Sequence, residues 1–313
     1  MKNKLTVLFS RTFLLGALAC TPLLQAAEPA SPPSASTPSA QEVAQQTEFE
    51  AASAAANKSM QRGPSNIPLA GQATLKLPEH YSFIPAAEAK RLMVAMGNSA
   101  NDTLGMIVPQ EGDANWFIDI TYEDAGYIKD DDAKSWNADE LLTSLKEGTE
   151  AGNAERKARG FTEFEVVGWI EKPKYDAASR QLVWSAETRD KGQAADEVNG
   201  INYNTYALGR EGYISMNLVT DVATVEGLKP TAQTLLTSLT FNEGKRYSDF
   251  NADTDKVAEY GLAALVAGVA AKKLGLLAVI AAFAVKFWKL GMILLLGGGT
   301  FIRKLFTRKT DNT

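Results

Sequence analysis

The stretch that decides the architecture is Tyr260–Phe301, which reads YGLAALVAGVAAKKLGLLAVIAAFAVKFWKLGMILLLGGGTF. It consists of three apolar blocks that only lysine-containing breaks separate. The blocks are residues 260–271, 274–285 and 290–302, and the breaks are Lys272-Lys273 and Lys286-Phe-Trp-Lys289. An apolar surface of this size needs either a large protein core or a lipid bilayer to cover it. We therefore expect residues 251–302 to form a membrane anchor region of one or more helices, with a basic cytoplasmic tail at 303–313.

The lysines leave the arrangement in the membrane open. No uncharged block reaches the roughly 20 residues of a spanning helix, so any span includes lysines. Each lysine near the centre of a span raises the free energy of membrane insertion by about 2.5–3.5 kcal/mol. About a dozen large apolar side chains offset that cost. On a single helix, Lys272, Lys286, Lys289, Lys304 and Arg308 would share one side, which we call the lysine stripe. Three arrangements follow: a tilted spanning helix with snorkelling lysines, a segment that lies on or re-enters the surface, and an oligomer whose lysine stripe faces a wet lumen. The predicted lipid-contacting residues are Lys272, Lys273, Lys286, Trp288, Lys289, Arg303 and Lys304.

Small residues recur at helical spacing within the first apolar block. Faces of this kind let two membrane helices approach closely. They predict that a homo-oligomer, if it forms, associates through this block. The residues are Ala263, Ala264, Ala267, Gly268 and Ala271.

Charge is distributed unevenly along the chain. Residues 1–26 carry three basic residues and no acid, residues 27–256 carry 21 basic and 35 acidic residues, and residues 257–313 carry eight basic and two acidic residues. Basic ends around an acidic body are typical of ends that meet the cytoplasmic leaflet and a body that does not. This predicts a bacterial cytoplasmic-membrane protein with a periplasmic body, and the acidic body argues against nucleic acid as a partner.

The amino terminus has the features of a secretory signal peptide. A basic segment is followed by a short apolar run, residues 12–19, and then by small residues, which predicts cleavage near Ala26 or Ala27. Cys20 is the single cysteine and lies inside this signal. Cleavage would leave a mature chain without thiols, whereas lipidation of Cys20 is a weaker alternative because the preceding residues match a lipoprotein box only loosely. A mature chain without thiols holds its core without disulfides.

The region between signal and anchor divides in two. Residues 27–65 are rich in Pro, Ser, Ala and Gln, which predicts a disordered tether with at most a weak helix. Residues 66–250 alternate between strand and helix patterns, which predicts an extracytoplasmic α+β domain with helices beside an antiparallel sheet. The predicted strands are 73–77, 104–108, 116–123, 165–172, 181–189, 201–208 and 213–219, and the predicted helices are 86–96, 137–160 and 230–238.

Several short motifs carry a resemblance to a known family. They are Gly112-Asp113, Tyr122-Glu-Asp124 with Gly126-Tyr127, Gly244-Lys-Arg-Tyr247-Ser-Asp-Phe250, and Thr254–Ala263 leading into the lysine-punctuated blocks. Together they resemble a bacterial family of predicted membrane-anchored proteins of unknown function, over roughly residues 66–304. The resemblance implies a secreted domain with an anchor and supplies no reaction. The strand order also resembles the antiparallel α/β sandwich of PsbP-type domains, which at fold level says nothing about function.

The chain offers few groups for catalysis or metal binding. His80 is the only histidine and lies in no nucleophile motif, and no phosphate loop or dinucleotide fingerprint occurs, so we predict no cofactor. Asp119 and Glu123 are expected on the outward, solvated face of a strand, and Asp130–Asp132 in a solvated loop. A weak calcium-loop pattern has oxygen ligands at alternate positions but lacks the glycine and the final glutamate. Its residues are Asp249, Asn251, Asp253 and Asp255.

The sequence therefore favours a non-enzymatic function. We expect a membrane-anchored binding, sensing or envelope-maintenance module whose partner is the bilayer or another envelope protein. The alternatives are an oligomeric membrane-active assembly built on the lysine stripe, and a carboxylate-based hydrolase that uses Asp119 or Glu123.

Overall fold

A computed structural model describes residues 39–110, 115–194 and 197–267. The helices are α1 (Ala40–Ser59), α2 (Ala86–Ala95), α3 (Ala138–Ala158), α4 (Val225–Thr237) and α5 (Leu262–Val266). The strands are β1 (Gln61–Arg62), β2 (Ser65–Leu69), β3 (Ala73–Leu77), β4 (Tyr81–Pro85), β5 (Thr103–Pro109), β6 (Phe117–Glu123), β7 (Phe164–Asp176), β8 (Gln181–Asp190), β9 (Gly200–Leu208), β10 (Tyr213–Asp221) and β11 (Leu239–Phe241).

Two antiparallel sheets carry the fold. The large sheet has the order β1-β4-β5-β6-β10-β9-β8-β7, and the small sheet has the order β11-β3-β2. Every pair within them is antiparallel, so the predicted α+β fold with an antiparallel sheet is confirmed.

The first face of the large sheet is apolar and fully covered. Ile118 and Ile120 of β6 and Met216 and Leu218 of β10 point to this face and are at most 2% exposed. The small sheet packs on them, and α4 adds a buried row through Leu235 and its neighbours. Alternation with a period of two sends the intervening residues of the same strands to the opposite face.

The second face is covered by two separate helical units. Helices α1 and α2 lie over β4 and β5, with a core that includes Met106 and Phe117. Helices α3 and α5 form the other unit, which packs over the β7 end of the sheet with Trp184 and Tyr206 in its core. Strands β6, β10 and β9 lie between these two units in the strand order.

Residues 40–59 form a helix, although the sequence predicted a tether there. Ser39 and Glu42 form a capping box, because the Ser39 hydroxyl accepts from the Glu42 N–H and the Glu42 carboxylate accepts from the Ser39 N–H. Ala52 and Ala56 are fully buried against α2, and Glu48 pairs with Arg91 of α2. The fully buried contacts are made by small alanines, with Phe49 partly buried beside them, so the sequence shows no strong apolar stripe. The folded body therefore includes residues 39–65, which the sequence had assigned to the tether.

The predicted anchor region also begins too early. Leu262, Leu265 and Val266 are at most 2% exposed and belong to the core under α3. Ala263 packs against that core and Ala267 is buried, so part of the small-residue face expected to join helices is used inside the body. Protein therefore covers the start of the first apolar block.

The rest of the predicted anchor lies outside the described residues. This includes Gly268 and Ala271 of the small-residue face and every predicted lipid-contacting residue from Lys272 to Lys304. Within the described part of the chain, none of the helices combines the length and the apolar character that a membrane crossing requires.

Candidate functional site

The body holds residues 244–267 through a set of contacts that we name the tail clamp. Its centre is aromatic: the Tyr127 ring stacks on Phe250 with centroids 3.8 Å apart and lies 4.4 Å from the Tyr247 ring. The Tyr247 hydroxyl donates a 2.8 Å hydrogen bond to the Ile128 carbonyl. Burial raises the pKa of Tyr247, so this hydroxyl keeps its proton and remains a donor.

Backbone pairing adds to the tail clamp. The Tyr127 N–H donates to the Lys256 carbonyl at 2.8 Å, and the Ala258 N–H donates to the Tyr127 carbonyl at 2.9 Å. Gly126 has φ +91°, and a Cβ there would lie 2.7 Å from the Lys256 carbonyl oxygen. A glycine is therefore required at this crossing on both conformational and steric grounds.

Two aspartates of the predicted solvated loop pair with other elements instead, and one of them, Asp132, belongs to the tail clamp. The Asp132 carboxylate accepts hydrogen bonds from the Leu262 and Ala263 N–H groups, at 3.1 and 2.9 Å, and so caps α5. The Asp130 carboxylate accepts from the Arg180 guanidinium and from the Tyr175 hydroxyl. Asp131, between them, is exposed. The prediction of a solvated loop was therefore wrong for Asp130 and Asp132, because both carboxylates satisfy donors of other elements.

An ion pair fixes the middle of the clamped segment. Both Asp255 carboxylate oxygens accept from Arg210, with N–O distances of 2.7 and 2.8 Å. These hydrogen bonds hold the pKa of Asp255 well below its usual range, helped by a further hydrogen bond from the Asn251 N–H. The Arg210 guanidinium therefore pairs with the Asp255 carboxylate, which would have been the last ligand of the calcium pattern.

The other residues of that pattern are also engaged locally. The Asp249 carboxylate accepts from the Arg246 N–H, and the Asn251 side-chain oxygen accepts from the Asp253 N–H. Among the described residues, no three His, Cys, Asp or Glu side chains are grouped to hold a metal ion. The loop geometry is that of a capped turn, which does not favour a calcium site.

Beside the tail clamp, the second face of the large sheet carries a polar centre. Cross-strand register aligns Asp119 of β6 with Asn217 of β10 and Asn204 of β9 in one row. The neighbouring row aligns Thr103, Thr121 and Ser215. We name these six residues the polar floor. Because Asn217 and Thr121 keep partial exposure although strands flank them on both sides, solvent reaches this face between the helical units.

The deepest groups of the polar floor lack hydrogen-bond partners. Asp119 is 7% exposed and Thr103 is 1% exposed, and among the described residues neither the Asp119 Oδ1 nor the Thr103 Oγ1 has a partner at full hydrogen-bond geometry. The side-chain oxygen of Asn217 likewise lacks a hydrogen-bond partner among the described residues. Burial raises the pKa of Asp119 to about 6, and the nearby Thr103 hydroxyl opposes part of that shift. A buried carboxylate without a charged partner is costly to keep ionised.

A cavity of about 270 Å³ lies between the two helical units. The loop that follows α2, residues 97–99, forms one side of it, α3 forms another, and Ala267 closes it at the end of the clamped segment. Arg156 of α3 and Arg159, which follows this helix directly, cross from one unit to the other by donating to the Gly97 carbonyl. We name this cavity the cleft, and none of the six residues of the polar floor is among its lining residues.

The remaining predicted catalytic residues are not brought together. His80 is exposed in the turn between β3 and β4, with φ +73°. Glu123 lies on the same face as Asp119 but four residues further along β6, which corresponds to about 13 Å at the rise of a strand. Asp124 is exposed beyond the end of β6. Asp119 itself is buried, so its predicted place on a solvated face was wrong, because two helical units border this face.

Sequence reasoning missed two groups of functional candidates. The tail clamp had a signal, since Gly126, Tyr127, Tyr247 and Phe250 were among the family motifs, but their proximity depends on the fold. The sequence signal for the polar floor was weaker. Asp119, Asn204 and Asn217 each interrupt an apolar strand, at a position that points away from the core on the first face of the large sheet. Only the register of three strands brings them into one row.

The fold defines an α+β body with a clamped segment at residues 244–267. Residues 61–297 match the family described as "Protein of unknown function (DUF2167)", and the chain belongs to that family. No curated protein matches the chain significantly. The solution structure of cyanobacterial PsbP (CyanoP) from Synechocystis sp. PCC 6803 is similar at 12% identity and a TM-score of 0.36, covering 59% of this chain and 93% of that chain.

Proposed function

We propose that this protein is a membrane-anchored, extracytoplasmic binding or sensing module that has no catalytic activity. Its body carries the cleft as the recognition site, and its carboxyl-terminal segment attaches it to the bacterial cytoplasmic membrane. The tail clamp is the observation that carries the proposal, because it joins the recognition site rigidly to the chain that leads into the lysine-punctuated apolar blocks.

The contacts around Ala267 support the connection between cleft and membrane. Ala267 is buried, lines the cavity, and follows α5 directly. Lys272 and Lys273 lie only five and six residues further along the chain. A change of shape in the cleft therefore has a short covalent path to the proposed membrane segment, as a sensing module requires.

The geometry is less favourable to the two alternatives. A hydrolase with two carboxylates needs them roughly 5–9.5 Å apart, whereas Asp119 and Glu123 are about 13 Å apart along β6. For the membrane-active assembly, Ala263 and Ala267 of the expected helix-joining face are already packed inside the body. Both alternatives therefore rank below a binding module.

Labelling in intact cells tests the topology. The chain has one natural cysteine, Cys20, so single substitutions Glu50→Cys and Thr313→Cys place thiols at the exposed side of α1 and at the carboxyl terminus. With a maleimide that does not cross the cytoplasmic membrane, we expect labelling of the first variant in intact cells and of the second only after lysis. The unsubstituted chain is the control for Cys20.

Two results would refute the proposed topology. One is equal labelling of both variants in intact cells, which would place both ends outside. The other is recovery of the whole chain in the soluble fraction without detergent, which would remove the anchor.

A further inference from the structure

We propose that the cleft is a binding site for a small monocarboxylate that carries a short apolar chain. The Arg156 and Arg159 guanidiniums receive the carboxylate, and Leu145 and Phe164 cover the chain. This rests on the proposed function as a binding module, and it names the chemical class that the module recognises.

The cleft has the room and the access that a small ligand needs. Its volume of about 270 Å³ is near the lower end of the range for small-molecule sites. A Cβ built at Gly152 of α3 meets no atom within 4 Å, so the lack of a side chain there leaves space open. The larger lining side chains on the α3 side are all partly exposed, namely Leu145, Thr149, Arg156, Arg159 and Phe164.

The two arginines are held in place and still have donors to offer. Arg156 donates through Nε to the Thr162 carbonyl at 3.0 Å and through one terminal nitrogen to the Gly97 carbonyl. Arg159 donates through its two terminal nitrogens to the Gly97 and Val94 carbonyls. Each guanidinium has five N–H groups. Among the described residues, three N–H groups on each arginine are therefore left for an oxygen ligand or for water.

Aromatic rings fix the orientation of both guanidiniums. The Arg156 guanidinium lies 4.9 Å from the centroid of the Phe164 ring, and that of Arg159 lies 5.3 Å from the Phe161 ring. Such contacts and the carbonyl acceptors together restrict how the arginine side chains move. A planar fork that is already oriented loses less conformational entropy when it binds a carboxylate, so the site is preorganised for this geometry.

The charges around the cleft favour a ligand with one negative charge. Burial is the main cause that lowers the pKa of Arg156, and Arg159 lowers it further, whereas Asp190 opposes the shift. The positive charge is therefore only partly compensated, and an anion would stabilise it. Glu155 also lines the cleft, but its side chain is exposed and solvent screens its charge. With these two carboxylates nearby, a monocarboxylate fits better than a phosphate dianion.

The rest of the lining explains why the ligand should have an apolar chain. Leu145, Phe164 and Ala267 contribute apolar surface to the cleft, and Gly148 and Gly152 add none that is charged. An anion without a chain would leave this surface in contact with water, whereas a short chain would cover it. The small volume limits that chain to a few carbon atoms.

The test uses the full chain in detergent and in Tris chloride buffer. Saturation-transfer NMR follows the protons of sodium hexanoate, with protein-free micelles as the blank. Two control ligands are compared at equal ionic strength. Hexanamide has the same chain without the charge, and sodium acetate has the charge with almost no chain.

Two variants and one matched control separate the site from the rest of the protein. Arg159→Gln removes one guanidinium, and Gly152→Leu fills the cleft while both arginines stay. Leucine favours a helix more than glycine does, so Gly152→Leu should fold. Lys157→Gln is the control, because it removes a positive charge from an exposed side chain of α3 that is not part of the lining. Circular dichroism checks that each variant is folded.

We expect saturable binding of hexanoate by the unsubstituted chain and by Lys157→Gln, and weaker binding of hexanamide and acetate. The apparent affinity for hexanoate should fall at least about ten-fold in Arg159→Gln, because a charged hydrogen-bond partner is lost. It should fall at least about ten-fold in Gly152→Leu as well, because the leucine side chain occupies the space of the ligand.

Three outcomes overturn the proposal. They are the absence of saturable hexanoate binding, equal binding of hexanamide, and binding that either folded variant leaves unchanged. Inorganic phosphate that displaces hexanoate at a lower concentration than hexanoate itself requires would assign the arginines to phosphate, and would overturn it as well. The labelling experiment on topology does not depend on any of these results, so the failure of one proposal leaves the other testable.

Discussion

Replacing Asp119 by asparagine should stabilise the protein at neutral pH. Burial raises the pKa of this carboxyl from 3.8 to about 6, which means that folding opposes its ionisation. Each unit of pKa shift corresponds to about 1.4 kcal/mol, so the ionised carboxylate costs the folded state about 3 kcal/mol at pH 7 and above. Asparagine has nearly the same shape and carries no charge, so the variant avoids that cost.

The sign and the pH range of this effect follow from linkage. A carboxyl whose pKa is higher in the folded state binds its proton more tightly there, so the protein gains stability as the pH falls through about 6 toward 4. At pH 4 Asp119 is nearly neutral in the folded state and about half neutral in the unfolded state. The advantage of Asp119→Asn should therefore shrink from about 3 kcal/mol at pH 7.5 to about 0.5 kcal/mol at pH 4.

Urea unfolding of the full chain in amine-free phosphate buffer measures this difference. Tryptophan emission is a suitable signal, because Trp184 pairs with Asn204 in the row that contains Asp119. The exposed Asp253, replaced by asparagine, is the matched control and should change little. If Asp119→Asn is less stable than the unsubstituted chain at pH 7.5, the carboxylate has a charged partner under those conditions and the reasoning about an unpaired group is wrong.

Three further predictions concern the tail clamp. Asp132→Ala removes the acceptor for two N–H groups of α5 and should destabilise that helix by about 1 kcal/mol, seen as faster amide exchange in α5, whereas the exposed neighbour Asp131→Ala should leave exchange unchanged. Gly126→Ala forces a side chain into a positive-φ position against a carbonyl and should cost roughly 1–3 kcal/mol in urea unfolding; an unchanged midpoint would contradict the crossing described above. Asp255→Asn should destabilise the protein at pH 7, because it weakens the pairing with Arg210. Since the pKa of Asp255 is depressed, that stabilisation is present above about pH 3.9 and is lost below it, so the two proteins should converge in acid.

Much of the fold could be predicted from local patterns. The strands from β5 to β10 were expected within a few residues of their observed bounds, because alternation of apolar and polar residues has a short period. The predicted helix 137–160 corresponds to α3, and the Asn137 side chain caps it by accepting from the Asp139 and Glu140 N–H groups. Signals of this kind depend on neighbouring residues only, so they survive without knowledge of the tertiary structure.

The differences arise where tertiary contacts decide. Strand β7 runs to Asp176 instead of residue 172, because three irregularities in its pairing with β8 let it continue past Pro173. Helix α4 begins at Val225, five residues before the proline that was expected to open it, because Val225 is buried in the main core. Helix α1 was missed because its fully buried positions are alanines.

The candidate site was the part least accessible to sequence reasoning. A strand pattern reveals that Asp119 and Ile118 point to opposite faces, but it does not reveal that both faces are bordered by other elements. The tail clamp likewise joins Tyr127 to Phe250, which are more than a hundred residues apart in the chain. The apolar character of residues 260–267 was noticed correctly, but nothing local distinguishes a helix that protein covers from one that lipid covers.

The burial of α5 determines where the protein can be cut. A fragment that stops at residue 250 would leave the hydrophobic surface under α3 open to water, and one that starts at residue 66 would lose the helix that lies on α2. The smallest unit that an expression experiment should attempt is residues 39–267. Shorter versions should aggregate, and their failure would say nothing about what the intact protein recognises.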